Sequence, residues 1–96
     1  MFVVVSYDIP DDKRRKKVMD TLENFGAHVQ YSVFECELKE SHYKRMRARL
    51  KPLIAPKEDS VRFYFLDEDA VKKVEAVGVK PLLRRQEYYM VGSSSQ

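Results

Sequence analysis

Cysteine, histidine and glycine are scarce in this chain, and each shortage removes a class of protein. Cys36 is the single cysteine, so no disulfide forms within the chain. With only His28 and His42 beside it, a structural zinc set is excluded as well. A reducing cytoplasm is the compartment this composition predicts. Three glycines and four prolines among 96 residues, with 44% hydrophobic and 34% charged positions, exclude a low-complexity or disordered chain. The length excludes two domains and a repeat array. No apolar run approaches the roughly 18–20 residues of a membrane span. The longest, residues 2–5, is strand-sized and has no basic segment before it, which predicts neither export nor membrane anchoring. A P-loop, a Ser-His-Asp set and a glycine-rich dinucleotide fingerprint are also missing.

The charge imbalance is small too, 18 Lys+Arg against 15 Asp+Glu, so the information lies in how the charges are distributed. Lys13-Arg14-Arg15-Lys16-Lys17 are consecutive bases, and Lys44, Arg45, Arg47, Arg49 and Lys51 fall close together with no acid among them.

Phe2-Val3-Val4-Val5-Ser6-Tyr7 is β-branched and aromatic on both alternating faces, the pattern of a mid-sheet strand. Asp11 and Asp12 after Pro10 supply a cap and favourable charge for a helix over residues 11–25, with Val18, Leu22 and Phe25 on its apolar side and Gly26 as its stop. Val29/Tyr31/Val33 and Phe34/Cys36/Leu38 fall on opposite phases, which predicts two short strands divided near Ser32. Ser41 is placed to cap a second helix with Tyr43, Met46, Leu50 and Leu53 on its apolar arc, ending near residues 52–56. Val61, Phe63 and Phe65 alternate through the next strand, which Asp67 ends. Residues 68–77 suit a helix by their valine spacing and a strand at their end. Tyr88-Tyr89-Met90-Val91 reads as a last strand and residues 92–96 as a mobile tail, so the domain spans residues 1–91.

This order, β-α-β-β-α-β with extra strand material, predicts an α+β, ferredoxin-like sandwich. Two helices cover one face of such a sheet, yet the first strand is apolar on both. A second copy of the chain, packed sheet to sheet about a two-fold axis, is the simplest cover, and a homodimer is expected. A chain this short also gains from added burial.

Asp8, at the end of that strand, is the candidate for chemistry. One carboxylate is a poor metal site, but Mg²⁺ keeps most of its waters and needs only one or two carboxylates, which a two-fold axis pairing Asp8 with its copy supplies. The plain alternative is an Asp that bonds the following turn. Arg14 and Arg15, just before Val18, sit at the upper edge of the buried helix face, where guanidinium forks suit a phosphodiester. The bases of the second helix, Arg45, Arg47 and Arg49 among them, form a broader phosphate-contacting surface or a solvated face. Phe63, Tyr64 and Phe65 lack the glycines of an RNA-recognition signature and are assigned to core packing. Cys36 is read as a small buried hydrophobe.

Tyr7-Asp8-Ile9-Pro10-Asp11-Asp12 with Arg14-Arg15, Gly26, and Val29-Gln30-Tyr31-Ser32-Val33-Phe34-Glu35-Cys36 closely resemble the small CRISPR-associated adaptation protein, the nuclease-like partner of the integrase that inserts new spacers. The likeness continues through Asp59-Ser60-Val61-Arg62-Phe63-Tyr64 and Val74-Glu75-Ala76-Val77-Gly78, and so covers about residues 1–91. The resemblance implies a ferredoxin-like homodimer in which residues 74–78 form an extra strand and Tyr88, Tyr89, Met90 and Val91 add a strand to the partner's sheet. It implies a Mg²⁺-dependent endonuclease on single-stranded RNA or double-stranded DNA, with Asp8 as catalytic and metal-associated residue, or else a non-catalytic dimeric bridge that holds prespacer DNA for the integrase. Two positions depart from the family pattern. His28 stands where an arginine is common, which makes phosphate contact there pH-dependent, and Lys17 keeps charge without a bidentate fork.

Overall fold

The computed structural model describes residues 1–78. The expected strand and dimer contacts of Tyr88, Tyr89, Met90 and Val91, and the tail at residues 92–96, lie outside the described residues. The elements run β1 (Phe2–Asp8), α1 (Asp12–Leu22), β2 (Ala27–Gln30), β3 (Val33–Glu37), α2 (Glu40–Leu50), β4 (Ser60–Leu66) and α3 (Glu68–Lys72). They form a mixed α+β fold around one antiparallel sheet of order β2-β3-β1-β4. β1 is central, as its two-faced apolar sequence requires.

Register separates the two faces of the sheet. Val3 lies opposite Cys36 and Phe65, and Val5 opposite Phe34 and Phe63. These side chains face α1 and α2, and the core closes on Val18, Leu22, Met46 and Leu50, all essentially inaccessible to solvent. Tyr43 meets Phe63 and Phe65 edge-on, with ring centroids 5.6 and 5.0 Å apart. The assignment of Phe63 to packing fits this placement, but Phe65, at 51% exposed, is only half covered. The opposite face carries Phe2, Val4, Ser6 and Asp8 of β1 with Val33, Glu35 and Glu37 of β3 and Arg62, Tyr64 and Leu66 of β4, and Phe2 is buried there. Both long helices leave that face open.

Asp11 caps α1 as expected, its carboxylate accepting the Arg14 N–H at 2.9 Å. The helix ends three residues early because its last turn tightens: the Asn24 and Phe25 amides donate to Thr21 and Leu22. Ser41 does not cap α2, which starts at Glu40, two residues before a Ser41 cap would place it, behind Lys39 and without a side-chain cap. Residues 68–77 resolve as the short helix α3, capped by Asp67, followed by irregular chain. The extra strand expected at residues 74–78 is therefore corrected. Among the described residues no strand pairs with residues 74–78, and the backbone bonds from Val71, Lys73 and Val74 to Asp67, Ala70 and Val71 take the chain just before them into a helical turn.

Gly26 has a different role from the helix stop assigned to it. Among the described residues only Gly78 has a positive φ, so Gly26 needs no left-handed conformation. A Cβ there would stand 2.5 Å from the Glu35 carbonyl oxygen and 3.0 Å from the Cys36 Cα, both backbone atoms. The corner between α1 and β2 thus presses directly on β3. Gly26→Ala is expected to destabilise the fold by about 1–3 kcal/mol through overpacking, read as a lower urea midpoint at unchanged m-value.

Candidate functional site

Asp8 ends β1 exposed, in phase with Val4 and Ser6 on the helix-free face and opposite Ser60 in register. Among the described residues no group of three or more His, Cys, Asp or Glu side chains gathers as a metal site. The chain turns from Asp8 through Ile9 and Pro10 into the basic start of α1.

The two arginines there are engaged within the chain. Arg14 Nε donates to Asp59 Oδ2 at 2.7 Å and its Nη2 to Asp59 Oδ1 at 3.1 Å and Glu58 Oε1 at 2.9 Å. The Asp59 side chain is fully buried and also accepts the Ala55 N–H at 2.8 Å. Arg15 Nη1 donates to the carbonyl oxygens of Ile9, at 2.9 Å, and Pro10, at 3.3 Å, while Nη2 pairs with Asp12. The two guanidinium forks expected to suit a phosphodiester thus each make hydrogen bonds within the chain. Lys17 is exposed with no ion pair among the described residues.

His28 lies on β2 with its ring stacked on Phe34, centroids 4.5 Å apart, and Nε2 at 3.0 Å from the Tyr31 carbonyl oxygen. The Tyr7 hydroxyl donates to the same carbonyl at 3.3 Å, and burial raises its pKa, so it stays a neutral donor. Tyr7, Arg15, Met19, His28 and Tyr31 line a shallow cleft beside α1. His28 therefore shares a wall with Arg15, away from the second helix.

On α2, Arg45, Arg47 and Arg49 are all exposed. Arg49 lies over the Phe25 ring at 5.7 Å, whereas Arg45 and Arg47 have no ion pair among the described residues. Arg45 and Arg49, four positions apart, share one flank of the helix, and Arg47 lies on the other. No helix among the described residues is long and apolar enough to cross a membrane.

Sequence reasoning passed over Asp59 and Glu58. Arg14 and Asp59 are 45 positions apart, and nothing local to either announces the pair.

The profile of the family described as CRISPR associated protein Cas2 matches residues 1–74. The chain belongs to the Cas2 family. A Synechocystis relative named CRISPR-associated endoribonuclease Cas2 3 is 47% identical over 81 residues, covering 84% of this chain and 88% of the relative. The crystal structure of Streptococcus pyogenes Cas2 at pH 6.5 is similar with a TM-score of 0.73 at 35% identity, covering 81% of this chain and 100% of that one. A chain of a partial Cas6-RT-Cas1–Cas2 complex gives a TM-score of 0.70 at 29% identity, covering 79% of this chain and 89% of that chain. The family match includes all of β1 and α1, and so Asp8.

The buried pair has a consequence for acid stability. The Arg14 guanidinium holds the Asp59 carboxyl below its ordinary value near 3.8, with the Ala55 N–H acting the same way and burial opposing. A carboxyl lowered on folding contributes stability above its unfolded pKa and loses it as pH falls through the folded value. Between those values the unfolded chain binds the extra proton. Urea midpoints measured from pH 6 down to pH 2 should therefore fall less steeply below about pH 4 in Asp59→Asn than in the wild type, even though the variant starts lower.

Proposed function

We propose that this Cas2-family chain is a homodimeric, Mg²⁺-dependent endonuclease, a phosphodiesterase on RNA or double-stranded DNA within the spacer-acquisition machinery, with Asp8 of each copy as its catalytic and metal-holding residue. The observation that carries this reading is the place of Asp8: the exposed end of the central strand, on the sheet face that both long helices leave open. Packing that face on a second copy puts two carboxylates near one axis. The element order through β4, with strands in the order β2-β3-β1-β4, supports the ferredoxin-like sandwich. The endoribonuclease name of the Synechocystis relative supports the reaction class.

The donor chemistry fits magnesium as half of a site. One chain offers a single hard oxygen donor, and Mg²⁺ is commonly held by one or two carboxylates together with water and substrate phosphate. Bound there, the ion supplies positive charge that polarises the phosphodiester and makes an attacking water more acidic. The rest falls to the chain. Asp8 supplies the negative charge of the site, and Arg15 fixes the loop behind it through the Ile9 and Pro10 carbonyls. Lys17, Arg45 and Arg47 hold the nucleic acid by its phosphates, Arg49 and His28 adding charge or hydrogen bonds at the margins.

A second reading is favoured by the likeness to a chain of a Cas1–Cas2 complex: a non-catalytic dimeric scaffold that holds prespacer DNA and bridges the CRISPR integrase. The two readings share the dimer and the basic surface and differ at Asp8.

Asp8→Asn keeps size and removes charge. On the nuclease reading it lowers Mg²⁺-stimulated cleavage by about 100-fold or more, while the two-chain mass in light scattering and the duplex affinity stay unchanged. Full activity in the purified variant would falsify the catalytic assignment, and spacer acquisition that survives the change favours the scaffold.

The basic surface is tested separately. Reversing Arg45, Arg47 and Arg49 to glutamate is expected to weaken duplex binding and to flatten the dependence of log affinity on log salt by about 0.9 for each phosphate that is no longer neutralised. An unchanged slope in fluorescence anisotropy would reduce the exposed surface of α2 to solvated charge.

A further inference from the structure

Asp8 lies where the central strand has only one of its two neighbours beside it. On the β3 side the register ends at Ser6 opposite Val33, with one last bond from the Tyr7 N–H to the Ser32 carbonyl at 3.1 Å, whereas β4 continues through Val61 opposite Tyr7 to Ser60 opposite Asp8. The start of β4 therefore fixes the backbone at Asp8. The residue before Ser60 is Asp59, whose buried carboxylate takes both arms of the Arg14 fork and the Ala55 N–H. The Asp59 N–H also donates to the Ala55 carbonyl at 2.8 Å, closing the turn that leads into the strand. Arg14 belongs to the first turn of α1, and its own amide is the one that Asp11 caps. The loop leaving Asp8 is thus tied at its far end to the ion pair that fixes the strand opposite Asp8.

We infer that Arg14 and Asp59 are positioning residues for Asp8: their fork-to-carboxylate clamp holds the start of β4 and the first turn of α1 in one frame, so that the Asp8 carboxylate is presented in a fixed place. This rests on the nuclease reading above, and it moves Arg14 out of the phosphate-contacting set. The physical reason is geometric. A bidentate guanidinium fixes both position and direction between two segments, where an ammonium fixes only a point. Burial makes the pairing obligatory, since a desolvated carboxylate without its cation is strongly unfavourable. Glu58 adds a third hydrogen bond, but from a side chain that is 63% exposed, where solvent competes with it.

Arg14→Lys in the full-length chain keeps the charge and removes the fork. The Mg²⁺ concentration for half-maximal cleavage is expected to rise about 10–100-fold, the scale seen when the groups that orient a metal's ligands are removed. The rate at saturating Mg²⁺ and the salt slope of duplex binding should match the wild type. Amide hydrogen exchange should quicken over residues 6–11 and 55–60 and stay slow in β3. Asp59→Asn, which still offers an oxygen to Ala55 and Arg14, carries the same comparison should the lysine variant not fold, and Glu58→Gln should leave both readouts alone. A folded Arg14→Lys protein with wild-type exchange around Asp8 and a wild-type Mg²⁺ midpoint overturns the inference. So does a salt slope flattened by about 0.9, which would return Arg14 to the phosphate. If the wild type itself neither cleaves with Mg²⁺ nor binds Mn²⁺ in paramagnetic titration, the nuclease reading fails separately, and exchange around Asp8 alone decides whether the clamp positions it.

Discussion

The position of β1 between β3 and β4 is the constraint from which the rest of the structure follows. A strand bonded on both sides has no freedom to slip, because a shift of one residue would move Val3, Val5 and Tyr7 out of the core and bring Val4 and Ser6 into it. That register assigns the sheet two different faces. One receives α1 and α2 over Phe34, Cys36 and the valines; the other carries buried Phe2, half-buried Val4 and Ser6 and exposed Asp8, Arg62 and Tyr64 without a long helix over them. It also decides which face Asp8 joins, since Tyr7 beside it is committed to the core.

Where the energetic determinants are local or periodic, the sequence is legible. β1 is recognisable from its apolar residues on both phases, and the division between β2 and β3 from the phase change near Ser32. The core arcs of both helices are visible as Val18 with Leu22 and Met46 with Leu50. Cys36 is buried, as its alternation with Phe34 and Leu38 suggests. The misreadings share a cause. Ser41 is a good capping residue by type, but α2 begins before it, and Gly26 suits a helix stop by type, but its constraint comes from β3 across the corner. In each case the surrounding structure overrode a preference of residue type.

The candidate site divides the same way. Asp8 stands out because a charged residue closing an apolar strand is conspicuous. Arg14 and Arg15 stand out as charge, but charge alone does not say what it meets. Asp59 meets one of them from the far side of the sequence, and two carbonyl oxygens meet the other. A run of five bases therefore contains cations of two kinds, some holding the chain and some free to meet a ligand. Only tertiary structure sorts them.

The burial of Cys36 makes this chain convenient for spectroscopy. Desolvation pushes its thiol up to about 12, and its sulfur is sealed beneath the α1–β2 corner. A raised, buried thiol offers maleimide and methanethiosulfonate reagents little thiolate at neutral pH. A cysteine introduced at an exposed site such as Lys17 or Arg47 is then the reactive one, with no native residue to remove first. Spin labels or fluorophores placed this way can measure separations between copies of the chain, and the unlabelled native protein serves as its own background.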